Sequence, residues 1–512
     1  MKLYFGLKVW KRVRLPIFML AFISQLQAQT NHYWSQQFGA RSSLMAGAVV
    51  AGGKDNSVMY YNPALLVNIT HPSISVTANA YKYDIITIKN GAGDGIDLNS
   101  ERLSLFPQLI SGMRSFKDHS KWRWGYSLMT RFQANIKTSI RKEFSGDVLV
   151  NRAGLDEYIG EFRYEASLNE LWGGLTLAHK VSDKFSVGLT QYIAYRTQGH
   201  ERANNRTTLP IIDPVPPSTT PGYRILKADD NELLTFTNFK AIWKLGFAFD
   251  FKRLKLGLTI TSPSVNITGS ANVQREILRD NLNLFLPGNA YRSLVGTGQQ
   301  NVKSVEHKTP LSIGVGVEYH FPKTIISFVG EYFAPISNYF VIKPEPAAFI
   351  RPTTLTSDLS GLPNTFNFLA VSSLSREIFN FGFGLEQHLT SKIILNAGFR
   401  TDFDSYERSQ SRANRENIVL GATYWDLYHV SAGFTLKQDK SEVTFGINYA
   451  FSSNNRKAEQ QTNFSNPTDA QFLLGTINRT AFPVINSINV IVGFTQYLNL
   501  MRKKDIPANQ KD

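Results

Sequence analysis

Beyond about residue 70 the chain alternates apolar and polar side chains with a period of two, the pattern of strands whose two faces meet different surroundings. From Phe239 to Phe251 every odd-numbered position is apolar, while the even ones include Lys240, Lys244, Gly246 and Asp250. The same holds for Leu311 to Phe321 against Ser312, Gly314, Gly316, Glu318 and His320. It recurs for Phe379 to Leu385 against Asn380, Gly382, Gly384 and Glu386, and for Val443 to Phe451 against Glu442, Thr444, Gly446, Asn448 and Ala450. Alternation and turn residues place strands at 73–89, 101–117, 121–142, 157–180, 183–200, 230–251, 254–271, 302–321, 323–342, 375–390, 391–403, 427–438, 441–455 and 486–498, fourteen in all.

Alternation alone also fits a soluble sandwich, so the connections decide between them. Six of the thirteen are tight turns, at Asp118-His119, Ser182-Asp183, Lys252-Arg253, Phe321-Pro322-Lys323, Thr390-Ser391 and Asp439-Lys440. The other seven are long, and the two kinds alternate. A bacterial outer-membrane barrel has this rhythm, with short periplasmic turns, long outer loops and an even strand count. A sandwich has no end privileged by a membrane and no reason to segregate loop lengths. The expected fold is therefore all-β: a transmembrane antiparallel β-barrel over residues 73–498, with the apolar face turned to lipid.

Composition supports an exported barrel. The chain holds 36 Gly, 35 Phe and 21 Tyr with only 19% charged residues, which suits crowded strands and aromatic girdles. No stretch of 18 uncharged apolar residues supplies a spanning helix. Zero Cys excludes disulfides and thiolate metal sites. Residues 1–28 read as a signal peptide: Lys2, Lys8, Lys11, Arg12 and Arg14 precede the short apolar run Leu15 to Ile23, and Ala28 is a small residue at the expected cut. Without those five positives, 50 Lys and Arg face 40 Asp and Glu, a net +10 scattered along the chain rather than set in one stripe. That distribution suits rims, lumen and lipid headgroups and excludes a nucleic-acid partner. Residues 499–512 form a polar tail.

Between export signal and barrel lies Gly39 to Ala64, GARSSLMAGAVVAGGKDNSVMYYNPA, with small apolar residues, the pair Gly52-Gly53, the turn former Asp55-Asn56-Ser57, and then Tyr61-Asn62-Pro63-Ala64. Pro63 biases Asn62 towards an extended conformation, and the Asn62 amide can bond nearby backbone. This opening, followed by many β segments, resembles that of the FadL/TodX family of outer-membrane transporters for hydrophobic compounds. The resemblance implies a 14-stranded barrel in the outer membrane of a Gram-negative bacterium. It implies an N-terminal hatch, here residues 29–72, inside the lumen, and passive uptake of hydrophobic molecules such as long-chain fatty acids past Tyr61, Asn62, Pro63 and Ala64. Partners would be the hydrophobic ligand, outer-membrane lipids and, during biogenesis, the barrel assembly machinery. Some relatives act instead as partners in protein export or surface attachment, which is the alternative reading.

The polar faces place Glu318, His320, Glu386, His388 and Arg400 towards the lumen, where they line a wet interior, bond the plug or steer a ligand headgroup. The segment 201–229, with five prolines, reads as a stiff loop, and 272–301 as a loop carrying Ile277, Leu278, Leu282, Leu284, Phe285 and Leu286. In the resembled family, loops at these ordinal positions build the outer groove where ligand lands. An apolar cluster that closes the barrel top is the plainer role. No Gly-x-x-x-x-Gly-Lys-Ser/Thr, Gly-x-Ser-x-Gly or His-Glu-x-x-His stretch occurs, so neither an enzyme nor a cofactor is expected.

Overall fold

The computed structural model describes residues 32–69, 71–116, 121–149, 154–210, 225–282, 292–346, 365–406, 418–419, 425–452 and 457–498. The expected signal peptide, the polar tail, the Asp118-His119 turn and Leu284, Phe285 and Leu286 lie outside these residues.

Among the described residues nineteen strands follow one another: β1 (Ser73–Lys89), β2 (Leu98–Ser115), β3 (Trp122–Gly146), β4 (Asp156–Lys180), β5 (Phe185–Pro210), β6 (Leu226–Phe251), β7 (Leu254–Thr261), β8 (Val265–Leu282), β9 (Arg292–Val302), β10 (Ser312–His320), β11 (Thr324–Phe333), β12 (Ile336–Ile342), β13 (Val371–Ser375), β14 (Ile378–His388), β15 (Ile393–Asp402), β16 (Ile418–Val419), β17 (Leu427–Lys437), β18 (Ser441–Ser452) and β19 (Phe482–Tyr497). Fourteen of them, β1–β7, β10, β11, β14, β15 and β17–β19, close into an antiparallel ring in which β1 pairs with β19 and β5 with β6. Closure pairs each strand of the ring with a neighbour on both sides, along part of its length only for β2 and β3, which is what a strand must achieve to cross hydrocarbon. The remaining five strands rise from the long-loop end: β8 extends the β6 ladder, β9 pairs with β8, and β12, β13 and β16 form a small separate sheet.

The outward residues divide each long strand in two. On β5, Phe185 to Tyr195 sends Phe185, Val187, Leu189, Ile193 and Tyr195 outwards, and above them come Thr197, Gly199, Glu201, Asn205 and Thr207. On β6 the outward residues from Phe239 to Phe251 are apolar, whereas Asn231, Thr235 and Thr237 above them are not. About ten residues per strand is the length a tilted strand needs to span a bilayer. Above that belt β3–β6 stand clear of lipid and are tied by cross-strand ion pairs, Lys137–Glu165 at 3.1 Å, Arg163–Glu201 at 2.8 Å and Arg141 with Glu161. Such exposed pairs each contribute only tenths of a kcal/mol, so the shared ladder is what holds this upper sheet.

This upper sheet corrects two expectations. Residues 201–210 and 226–229, expected in a loop, are strand, because their ladder bonds need no apolar alternation. Ile277, Leu278 and Leu282, expected in a landing loop, lie in β8, the first two opposite Asp230 and Asp229 of β6 and Leu282 opposite Arg292 of β9. Leu282 is fully buried in a core with Phe162, Trp425 and Phe464, and Ile277 packs on a second core around Phe236 and Phe368.

Candidate functional site

Residues 32–69 run through the lumen from the long-loop end to the short-turn end, where the chain enters β1. The wall makes room for them with glycine. A Cβ added at Gly188, Gly246, Gly257, Gly398, Gly446 or Gly493, on six different strands, would fall within 2.7 Å of an atom of this segment. At Gly188, Gly257 and Gly398 the nearest atom is backbone of this segment, and at Gly246, Gly446 and Gly493 it is a side chain of it.

At the short-turn end the structure brings Tyr61, Asn62, Pro63 and Ala64 to the seam between plug and wall. Asn62 is extended (φ −153°, ψ 101°) and caps a short 3₁₀ turn, its Oδ1 accepting from Ala64 N at 3.1 Å. Its Nδ2 donates to Val50 O within the plug (2.8 Å) and to Phe247 O of β6 (2.9 Å), so one amide joins plug to barrel. The Tyr61 hydroxyl accepts from Phe38 N and donates to Gln37 Oε1, tying two turns of the plug, and burial raises its pKa.

Glu318, His320, Glu386 and His388 gather at the same end. Glu386 accepts from Arg41 Nε (2.5 Å), Lys54 Nζ (2.8 Å) and His388 Nε2 (2.7 Å), and Glu318 accepts from His320 Nε2 (2.5 Å) and Ser327. Arg400 sits higher and donates to Trp34 O (3.1 Å) and Ser35 O (3.4 Å). Of the five, Glu386 and Arg400 bond residues 32–69 directly, Glu318 lies against Gly52, and His320 and His388 bond Glu318 and Glu386.

At the long-loop end Asp402 accepts from Trp34 N at 2.9 Å, and His32 bridges to Asp404. Burial alone would lower the His32 pKa, but the Asp402 and Asp404 charges outweigh it and raise it. Burial pushes the Asp404 carboxyl, in the connection after β15, up to about 7. Both groups hold protons more tightly when folded, so the stability they contribute is complete below their unfolded values and is lost as pH rises, from about 4 to about 7 for Asp404 and above about 6.5 for His32. The upper plug is expected to loosen as pH rises through about 4 to 7 and further above about 6.5, measured as faster labelling of a Tyr33→Cys reporter; a rate that follows an exposed reference cysteine at every pH contradicts this.

Midway lies a feature that the alternation left unmarked. Arg131 of β3, Arg196 of β5 and Lys240 and Lys244 of β6 all turn inwards, against the carboxylates of Glu170 and Glu331. Glu170 takes Arg196 NH1 (2.7 Å), Lys240 Nζ (3.3 Å) and the Trp172 indole (2.6 Å), while Glu331 takes the Trp34 indole (2.7 Å) and Ser312. Arg131 donates one NH2 bond to Tyr33 O and lies 4.2, 5.5 and 5.6 Å from the Phe132, Tyr60 and Trp172 ring centres. Its Nε and NH1 are buried without a partner among the described residues. Lys244 stands 4.8 Å over Tyr60 and borders a cavity of about 20 Å³, enough for a water molecule or two, lined by Trp34, Gln37, Val50, Tyr61 and Glu331. Even-numbered Lys240 and Lys244 were visible as inward residues in the sequence, but Arg131 sits at a register shift between Thr130 and Phe132 that alternation cannot announce.

Beside this shift the β2–β3 ladder stops, and above it the two strands are joined by side-chain bonds, Thr130 Oγ1 to Pro107 O (2.8 Å) and Lys137 N to Ser100 Oγ (3.1 Å). β2 and β3 share a ladder only over Leu109–Ser115 and Arg123–Met129. Above it β2 carries Pro107, which has no N–H to give, and among the described residues no ladder joins the two strands there. The break is not at Gly125, which stays paired with Met113 and faces Met59.

Comparison with solved structures gives the fold. A FadL homologue from Pseudomonas aeruginosa matches with a TM-score of 0.54 at 11% identity, covering 93% of this chain and 100% of that one. The Pseudomonas putida toluene transporter TodX matches at 0.52 and 12% identity over 92% and 100%, and the Ralstonia pickettii toluene transporter TbuX at 0.52 and 11% over 90% and 98%. No family sequence model and no curated protein matches the chain.

Proposed function

We propose that this chain, which has the fold of the FadL- and TodX-type channels, is an outer-membrane transporter for the passive uptake of hydrophobic molecules, and that its ligands include amphiphiles with an anionic head such as long-chain fatty acids. The cation excess at mid-lumen carries the second half of this reading: four inward cations face two carboxylates, and Arg131 keeps two unpartnered N–H groups among aromatic rings. A carboxylate head would satisfy those donors, while the chain would leave water at roughly 0.8 kcal/mol per methylene. Tyr61, Asn62, Pro63 and Ala64 then act as the hatch that must shift before ligand leaves, and the stretch where β2 and β3 share no backbone ladder and are held by two side-chain bonds is the weakest part of the wall for a lateral exit. Ile277 and Leu282 serve as packing that closes the top.

The test is uptake into proteoliposomes holding the purified barrel. Entry of a fluorescent long-chain fatty acid above that of empty liposomes, competed by unlabelled oleate, is expected. Entry of toluene without any fatty acid would restrict the reading to neutral hydrocarbons, and entry of neither would sink it.

A further inference from the structure

Two strands repeat one pattern, Gly-x-Gly-x-Glu-x-His, at Gly314 to His320 in β10 and Gly382 to His388 in β14. With only β11 between them, the repeats present the same residues to the plug in the same order. The glycines come first: Gly316 admits Val50 and Ala51, and Gly382 and Gly384 admit Ala46 and Met45. The glutamates follow one step lower. A Cβ on Gly52 would lie 1.9 Å from Glu318 Oε1, and Glu386 holds both Arg41 and Lys54. The histidines close the series, each on its own glutamate and each partly open to water, with side chains 25% exposed for His320 and 34% for His388.

We propose that the two repeats are a proton-sensitive latch facing the periplasm, in which protonation of His388 displaces Lys54 from Glu386 and frees the lower plug. The inference rests on the reading of residues 32–69 as a hatch.

The geometry supplies the competition. Lys54 Nζ at 2.8 Å and His388 Nε2 at 2.7 Å share a single oxygen, Glu386 Oε1, so a charged imidazole brings a second cation within a few ångströms of the ammonium. Neutral His388 bonds to that oxygen without repelling Lys54. Burial and the Arg41 charge already hold the Lys54 ammonium below the usual lysine range. Arg41 Nε stays on the other carboxylate oxygen, Glu386 Oε2, and does not take part in the competition. The remaining charges near the site are Asp55, which bonds Ser57 and lies near Arg41, Glu318 with its own His320, and Glu442 of β18 beyond Asp55. Histidine is the side chain whose ordinary value places its charge change between pH 5 and 8.

The absence of cysteine from the chain permits a clean reporter. Ala51, 3% exposed and next to Gly52, is replaced by cysteine in the full barrel, and its labelling by a water-soluble maleimide is divided by that of Ser391→Cys in the exposed β14–β15 turn. The ratio is expected to rise at least tenfold from pH 7.5 to 5.5, to stay low at both when His320 and His388 are replaced by glutamine, and to be high at both in Glu386→Gln. A flat ratio in the parent protein, or an acid response that survives loss of both histidines, overturns the latch. Heat-modifiable gel mobility confirms closure of each barrel, and if Glu386→Gln does not close, Lys54→Met, altered on the plug alone, takes its place with the same expected high ratio. No substrate is present, so a failed latch leaves the transport reading standing and a failed transport assay leaves the latch standing.

Discussion

Valine in place of Gly257 is expected to expel the plug from the lower lumen while the barrel still closes. A Cβ there falls 2.1 Å from Val50 O, 2.6 Å from Val50 C and 3.0 Å from Ala51 Cα, all backbone, so no side-chain rotation relieves the contact. Its ladder partner Gly316 meets the same two plug residues, which leaves no adjacent space to shift into. Overpacking costs about 1–3 kcal/mol where a core can give. Here the strand gains, since valine suits a strand better than glycine, so the strain falls on the plug. The expected result is at least a tenfold rise in entry of a small hydrophilic antibiotic, with heat-modifiable mobility retained. Gly173→Ala, whose added Cβ would have its nearest neighbour at 4.0 Å, should change nothing. Unchanged permeability in a closed Gly257→Val barrel would show that residues 32–69 are not what blocks the pore.

Replacing both Arg131 and Lys244 with methionine is expected to cut fatty-acid entry by tenfold or more while leaving toluene entry within twofold. The pair brings two positive charges that, among the described residues, no carboxylate contacts in a hydrogen bond: Arg131 rests on rings and one carbonyl, and Lys244 on the Tyr60 face. Hydrogen bonds to a charged group contribute about 1.5–3 kcal/mol each, which is a factor of ten or more in affinity for a carboxylate head. Methionine keeps the unbranched apolar stem, so the packing against Phe132, Trp172 and Tyr60 survives. Stability should hold, because a buried charge without a partner carries a desolvation cost that the double variant removes. Equal loss of both solutes would point to a collapsed lumen, and equal retention would remove the anionic head from the proposed ligand.

Much of this architecture was legible before the structure. Apolar residues recurring every second position, from Phe239 to Phe251 or Leu311 to Phe321, do face outwards, because a strand has only two faces and the plug and glycines take the other. The turns at Ser182-Asp183, Lys252-Arg253 and Asp439-Lys440 fall between strands as expected. Alternation failed where its cause was missing. Above the bilayer both faces of β5 and β6 carry polar groups, such as Thr197 and Glu201 outside and His200 and Arg206 inside, so no period marks the strand although the ladder continues. The pair Leu278 and Leu282 looked like an exposed cluster because nothing in the sequence says that Phe162, Trp425 and Phe464, from distant segments, converge on Leu282.

The sequence by itself determined which face of each strand meets lipid, how many strands close the ring and which glutamates, histidines and glycines look inwards, since these follow from local period and turn chemistry. Only the tertiary structure decided what those inward residues touch. Arg41 and Lys54 reach Glu386 across more than 330 positions, and Asn62 reaches Phe247 across 185. Closing the ring around the early residues is what turns a set of polar positions into a held plug, and no window of sequence contains both partners of those contacts.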